Sequence, residues 1–76
     1  RRPVMTLDEA LHRIERMLGT RVEWTRLEAF LPETEDGEYR KSALASSFLA
    51  TLELARLGKI ELDQQSAFAP LYVRAA

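Results

Sequence analysis

Apolar residues recur every three or four positions near the start of the chain, which is the period of one helical face. The residues concerned are Leu7, Ala10, Leu11, Ile14, Met17 and Leu18. Thr6 and Glu9 have the spacing of a capping box, in which each side chain accepts a hydrogen bond from the other residue's backbone amide. Glycine is common just after the C-terminus of a helix, and Gly19 follows the last of these apolar residues. The sequence therefore predicts a first helix between Thr6 and Gly19.

A short strand and a second helix are predicted for the next part of the chain. Polar and apolar residues alternate from Arg21 to Trp24, as they do in a half-buried strand. Thr25 and Glu28 have the spacing of another capping box, which predicts a short second helix. Residues 32–38 contain one proline, one glycine and four acidic residues, so a mobile surface loop is expected. For Trp24 an exposed interface anchor is the alternative, since tryptophan is enriched at interface hot spots. We expect Trp24 in the core, because a domain this small needs its large side chains there.

A third helix is predicted from residues 40–42 to Leu57, with Gly58 after its end. Its apolar residues form two ridges at about 100° per residue. Ridge one consists of Leu44, Phe48, Leu52 and Ala55, widened by Ala45 and Leu49. Ridge two consists of Ala43, Ala50, Leu54 and Leu57. One small core cannot cover both ridges, so one of them is predicted to face a protein partner.

Two strands are predicted at the C-terminal end of the chain. Residues from Ile60 to Gln64 alternate with a period of two, and Leu71 to Val73 can pair with them across residues 65–70. This pair would form a two-stranded wing. Together the elements predict one α+β domain over residues 1–76 with the winged-helix fold, made of three helices and a small antiparallel sheet.

The composition limits the functions that this chain can perform. Seventy-six residues with 46% hydrophobic and 30% charged content describe one small domain. The formal net charge of −1 lacks the positive field with which DNA-binding proteins neutralise phosphates. With no cysteine and a single histidine, the chain cannot build a disulfide or a Cys/His zinc site, and no cofactor is expected. There is no signal-peptide pattern and no apolar run of about 18 residues, so we expect a cytoplasmic protein without a membrane span.

No arrangement of residues in the sequence predicts catalysis. The one conventional general base for a serine nucleophile is His12, which is expected on the polar face of the first helix. The three glycines are isolated, so the sequence has no phosphate-binding loop. The acidic residues of the predicted loop lack the ligand spacing of a calcium site. We expect a protein that is not an enzyme and has no catalytic or metal-binding residues.

A combination of residues in the C-terminal half resembles a known family. An aromatic-led helix ends in Leu-Glu-Leu, a glycine and a basic residue open an apolar strand, and a glutamine and an aromatic precede another apolar strand. The residues are Phe48-Leu49, Leu52-Glu53-Leu54, Gly58-Lys59-Ile60, Gln65, Phe68 and Leu71-Tyr72. This combination is similar to the C-terminal winged-helix domain of segregation and condensation protein A, the bacterial kleisin. The resemblance covers about half of the chain, within residues 41–73.

The resemblance implies a function in chromosome condensation and segregation. In kleisins this domain binds the ATPase head of a structural maintenance of chromosomes (SMC) protein, so the ATPase activity would belong to the partner. Together with the two ridges, the resemblance implies a docking surface made of Phe48, Leu49, Leu52, Leu54, Leu71 and Tyr72. Leu49, Leu54 and Tyr72 are its expected exposed members. For Phe48 and Leu52, a core role is the competing interpretation.

The chain is also expected to be a piece of a longer kleisin. It opens with Arg1-Arg2-Pro3 in place of a methionine, and a helix signal follows almost at once. Other parts of such a protein would bind the second SMC subunit and an accessory subunit of the condensin complex. The location would be the cytoplasm, in association with the nucleoid.

Two alternatives remain open from the sequence. The first is a DNA-binding winged helix of a transcriptional regulator, whose third helix would lie in the major groove. Against it, the residues from Ser42 to Arg56 include one arginine, no asparagine and no glutamine, although base readout relies on these side chains. The second alternative is a dimerisation domain that self-associates through an apolar ridge.

Overall fold

A computed structural model gives the structure of residues 4–76, so the opening Arg1-Arg2-Pro3 lies outside the described residues. In chain order the elements are α1 (Leu7–Leu18), β1 (Thr25–Arg26), a 3-10 helix (Leu27–Phe30), α2 (Gly37–Arg56), β2 (Ile60–Asp63) and β3 (Tyr72–Ala75). Over residues 4–76 the chain is therefore α+β, with two α-helices and a three-stranded antiparallel sheet.

The first helix, α1, begins and ends where the sequence predicts. The Thr6 hydroxyl accepts from the Glu9 amide at 3.1 Å, and Glu9 Oε1 accepts from the Thr6 amide at 2.9 Å, which completes the capping box. At the other end, the Gly19 amide donates to the Glu15 carbonyl at 3.0 Å, and Gly19 has a φ of 54°. Glycine adopts a positive φ at little steric cost, so the chain can leave the helix here.

The predicted second α-helix is a four-residue 3-10 helix, and the expectation of three helices is wrong. Thr25 lies in β1, where its hydroxyl donates to the Glu23 carbonyl at 3.2 Å and does not cap the helix that follows. Leu31 ends the segment in an extended conformation. A residue that precedes proline is pushed away from the helical region, so Pro32 prevents the turn from growing into an α-helix. The strand predicted at residues 21–24 is displaced to β1.

The helix α2 begins earlier than predicted, inside the segment assigned to an acidic loop. Asp36 Oδ1 accepts from the amides of Glu38 and Tyr39 at 3.0 and 3.2 Å, so Asp36 is the N-cap of α2. The loop is therefore shorter than residues 32–38, and one of its carboxylates stabilises the helix. The end of α2 agrees with the prediction, because Gly58 lies just beyond it with a φ of 77°.

The predicted pairing of the two C-terminal strands is confirmed. β2 and β3 are antiparallel, with Leu62 opposite Val73. β3 also pairs with β1, with Thr25 opposite Val73, so β3 is the central strand in the order β1-β3-β2. Val73 is completely buried at the centre of the sheet. Residues 64–71 connect β2 to β3, and we call them the wing loop.

The core lies between α1, α2 and the inner face of the sheet. Its buried side chains are Met5, Ala10, Ile14, Leu18, Leu27, Phe30, Ala43, Ala50, Leu54, Ile60 and Val73. The expectation that Trp24 belongs to the core is wrong, because 42% of this residue is exposed. Thr25 is half-buried opposite Val73, and its neighbour Trp24 therefore points to the outer side of the sheet. There the Arg74 guanidinium lies over the Trp24 ring, 4.3 Å from its centroid.

His12 lies on the exposed side of α1, as the sequence predicts. Its side chain is largely exposed, and Nδ1 lies 3.6 Å from a carboxylate oxygen of Asp8. Neither α-helix within residues 4–76 combines the length and the apolarity that crossing a lipid bilayer requires.

Candidate docking surface

One side of α2 is apolar and exposed. Its large members are Leu44, Phe48, Leu49 and Leu52, which we call the apolar strip. Between 42% and 53% of each of these residues is exposed. Three of them follow one another at a spacing of four, and Leu49 lies beside Phe48, so all four share one face of the helix. Clustered large apolar side chains on a protein surface typically mark an interaction site.

The opposite side of α2 is buried and consists largely of small residues. Its buried residues are Ala43, Ser47, Ala50, Thr51 and Leu54. α1 packs against α2, and its Ala10 and Ile14 are completely buried. The Thr51 hydroxyl donates to the Phe48 carbonyl at 2.7 Å, so this buried polar group is paired. Ridge two therefore supplies the core, apart from the exposed Leu57, whereas the large residues of ridge one face solvent.

The four predicted docking residues on α2 have two different environments. Phe48, Leu49 and Leu52 lie together on the apolar strip, so the competing core interpretation of Phe48 and Leu52 is wrong. Leu54 is 1% exposed and belongs to the core, so the expectation that it is exposed is wrong. At about 100° per residue, Leu54 is turned about 200° from Leu52, and the two cannot share a face.

A groove separates the apolar strip from the wing loop. It has a volume of about 570 Å³, and its apolar lining includes Leu44, Ala45, Phe48, Phe68, Pro70 and Leu71. Leu44 and Phe48 belong to both the strip and the groove, which makes the two surfaces continuous. Of the two remaining predicted docking residues, Leu71 is half-buried and lines the groove while packing against the core. Tyr72 is half-buried in β3.

Phe68 is the most exposed large apolar side chain of the wing loop. Its side chain is fully exposed. Its backbone φ is 67°, and among residues 4–76 no other residue except glycine has a positive φ. Two hydrogen bonds hold this turn: the Ala69 amide donates to the Ser66 carbonyl at 3.1 Å, and Gln64 Nε2 donates to the Ala69 carbonyl at 2.8 Å. Phe68 was part of the sequence resemblance but not of the predicted docking surface. The strand pattern gave no signal of its exposure, because that depends on the turn conformation.

Ion pairs flank the apolar strip at both ends of α2. At the C-terminal end, Arg56 Nη2 lies 2.6 Å from Glu53 Oε2, and this hydrogen bond lowers the pKa of Glu53 below its ordinary value. At the N-terminal end, Lys41 Nζ lies 3.8 Å from Glu38 Oε2. The strip between them carries no charge. An uncharged centre with a polar rim is the usual anatomy of a protein interface.

The surface offers apolar side chains and ion pairs, which are groups with which proteins bind one another. Among residues 4–76, no three His, Cys, Asp or Glu side chains lie close enough together to hold a metal ion. The strip and the groove can bury apolar side chains of a partner. Their charged neighbours can orient that partner through salt bridges.

The fold of this chain has a counterpart among solved structures. No protein-family model matches the sequence, and no curated protein matches it. The structure is similar to a chain in the crystal structure of the SmcHead bound to the C-winged helix domain of ScpA, with a TM-score of 0.62 and 20% sequence identity. The match covers 92% of this chain and 93% of the matched chain. The fold is a winged helix.

The winged helix extends over nearly the whole chain, because the match covers almost all of both proteins. The resemblance that the sequence indicated is thereby confirmed at the level of the fold. This winged helix differs from the predicted one in its second helix, which is the 3-10 helix between β1 and α2. At 20% identity the similarity establishes the fold but not a binding partner. An inference about the partner has to come from the surface described above.

Proposed function

We propose that this winged helix is the head-docking domain of a bacterial kleisin, which binds the ATPase head of an SMC protein in chromosome condensation and segregation. Its fold is similar to that of a chain in the complex of the SmcHead with the C-winged helix domain of ScpA. Its C-terminal half carries the combination of residues that resembles the kleisin family. Both features support the same class of partner.

The apolar strip is the observation that supports this proposal most strongly. Burial of apolar surface contributes about 25 cal/mol per Å² removed from water. A partner that covers Leu44, Phe48, Leu49 and Leu52 therefore gains free energy from side chains that are exposed in the free chain. Phe48 lies in the middle of the strip, and large side chains at the centre of an interface often contribute most of its affinity.

In this proposal the chain acts by binding and has no catalytic role. ATP hydrolysis takes place in the head of the partner, and the winged helix needs no cofactor. Other parts of a longer kleisin would contact the second SMC subunit and an accessory subunit, at the nucleoid in the cytoplasm. Contact with DNA would be weak and independent of sequence, because the net charge of the chain is −1.

Of the two alternative functions, the DNA-binding regulator fits the surface less well. A transcriptional regulator reads bases with polar side chains on the helix that enters the major groove. On α2, the exposed side between Lys41 and Arg56 is occupied by the apolar strip. Self-association would also cover the strip. It is distinguished from head docking by the measured mass of the complex, which would be that of a homodimer.

Co-purification tests this proposal directly. The chain and the SMC ATPase head of the same organism are mixed and separated by size-exclusion chromatography with light scattering. A one-to-one complex is the expected result. A homodimer that does not bind the head would favour self-association, and sequence-selective binding of duplex DNA in fluorescence anisotropy would favour the regulator.

A further inference from the structure

We propose that Phe68 is a second anchor for the ATPase head, and that it closes the groove over an apolar side chain of that partner. The occupant is a segment of the head that carries a leucine or a phenylalanine next to an acidic residue. This inference rests on the proposed function, and it adds a wing contact to the contact made by the apolar strip.

The backbone conformation of Phe68 is unfavourable, and no burial of its side chain within this chain offsets that cost. Its side chain is fully exposed, so it contributes no burial to the core. Its φ of 67° is unfavourable for a bulky residue, whereas glycine or asparagine adopts that conformation more readily. Strained backbone conformations of this kind cluster at binding sites, where the exposed side chain contacts a ligand.

The groove beside Phe68 provides the space for a partner side chain. Phe68, Pro70 and Leu71 line it from the wing loop, and Leu44 and Phe48 line it from α2. Its volume of about 570 Å³ lies within the range of about 300–1,000 Å³ that is typical of binding pockets. Because the two α2 residues also belong to the apolar strip, a partner seated on the strip would reach the groove without crossing a polar surface.

The charges of the groove favour an acidic residue beside the apolar side chain. Its charged lining residues are Arg26, Lys41 and Glu28, so two cations and one carboxylate give the lining a net charge of +1. Arg26 Nε lies 3.6 Å from Glu28 Oε1, and these two charges offset each other. Lys41 is paired at 3.8 Å with Glu38, and most of its side chain is exposed to solvent. Glu38 offsets the charge of Lys41, but a carboxylate of the partner can share the exposed Lys41 ammonium, which has three N–H donors.

Substitution of Phe68 separates binding from folding. Phe68→Asn removes the ring and relieves the positive φ, so the melting temperature is expected to stay level or to rise. The affinity for the SMC ATPase head, measured by isothermal titration calorimetry, is expected to fall about tenfold or more. Val22→Ala is the matched control, because Val22 is an exposed apolar residue outside the groove lining, and it is expected to bind like the wild type. Lys41→Glu is expected to weaken binding severalfold by repelling the acidic residue.

Each result either supports or overturns the inference. Unchanged affinity of Phe68→Asn, in a set where Phe48→Arg no longer binds, would overturn the role of Phe68 and leave the proposed function intact. Failure of the wild-type chain to bind the head would overturn both. A lower melting temperature of Phe68→Asn would assign Phe68 a structural role and overturn its role as an anchor. Unchanged or tighter binding by Lys41→Glu would overturn the acidic flank of the occupant.

Discussion

Ser47 and Phe48 are neighbours on α2, yet the serine is 1% exposed and the phenylalanine is 42% exposed. This reverses the usual distribution, in which phenylalanine is the more buried of the two residue types. The small residues on the side of Ser47 face the core, where α1 packs against α2. Phe48 remains outside with the other members of the apolar strip. The buried side of α2 thus consists mostly of small residues together with Leu54, whereas the large residues of the apolar strip stay exposed.

A change of side-chain size at these two positions should distinguish the two sides of α2. Ser47→Leu is expected to reduce the free energy of unfolding by about 1–3 kcal/mol, because a larger side chain must fit between packed elements. Phe48→Ala is expected to cost about 1 kcal/mol or less, since substitutions on the surface have small effects. Urea unfolding monitored by circular dichroism measures both. A larger loss for Phe48→Ala than for Ser47→Leu would show that the buried side has been misassigned.

Leu54 and Leu49 provide a second comparison on the same helix. Leu54→Ala is expected to destabilise the chain by about 2–5 kcal/mol, because it leaves a cavity in the core. Leu49→Ala makes the same chemical change at an exposed position of the strip and is expected to leave the melting temperature almost unchanged. Thermal melts of the two variants provide the test. Equal destabilisation by both substitutions would contradict the placement of Leu54 in the core and Leu49 outside it.

Local signals in the sequence predict the elements that depend on local chemistry. The capping box of Thr6 and Glu9 and the glycines after α1 and α2 act within a few residues of their own positions, so the start of α1 and the C-terminal ends of both helices are predicted well. The pairing of β2 with β3 follows from the alternation of their side chains. The second helix was mispredicted because Thr25 was assigned to a cap, whereas in the fold it pairs with β3.

The exposed ridge of α2 could not be predicted, because burial is decided by tertiary packing. A pattern of apolar residues counts Ser47 and Thr51 as polar and assigns them to the surface. In the structure both are buried, and Thr51 satisfies its hydroxyl through the backbone of its own helix. Phe68 was missed for a related reason. Its full exposure follows from the turn of the wing loop, which the alternation of strand residues does not encode.

The capping box of α1 links folding to pH through Glu9. The hydrogen bond that this carboxylate accepts from the Thr6 backbone lowers the pKa of Glu9 below its ordinary value. A carboxyl group whose pKa is lower in the folded chain adds stability above its unfolded pKa of about 4.3. That contribution is lost as the pH falls through the folded pKa.

Glu9→Gln tests this linkage, because the amide keeps an acceptor and removes the titration. Between about pH 5 and about pH 3 the melting temperature of the variant is expected to fall less than that of the wild type. Met17→Gln, a change at an exposed and uncharged position of the same helix, serves as the control and should retain the acid sensitivity of the wild type over that range. If the melting temperatures of Glu9→Gln and the wild type fall equally, Glu9 contributes nothing to the acid sensitivity.

The most direct measurement of head docking compares two arginine substitutions at exposed apolar positions. Phe48 lies on the apolar strip, whereas Leu57 is slightly more exposed and is turned about 180° from Phe48 at about 100° per residue. An unpaired charge in a buried interface costs about 3–5 kcal/mol, and each 1.4 kcal/mol is about a tenfold change in affinity. In calorimetric titration of the SMC ATPase head, Phe48→Arg is therefore expected to lose about 100-fold or more in affinity. Leu57→Arg is expected to bind like the wild type, with both variants folded; a folded Phe48→Arg variant that binds the head with wild-type affinity would contradict docking through the apolar strip.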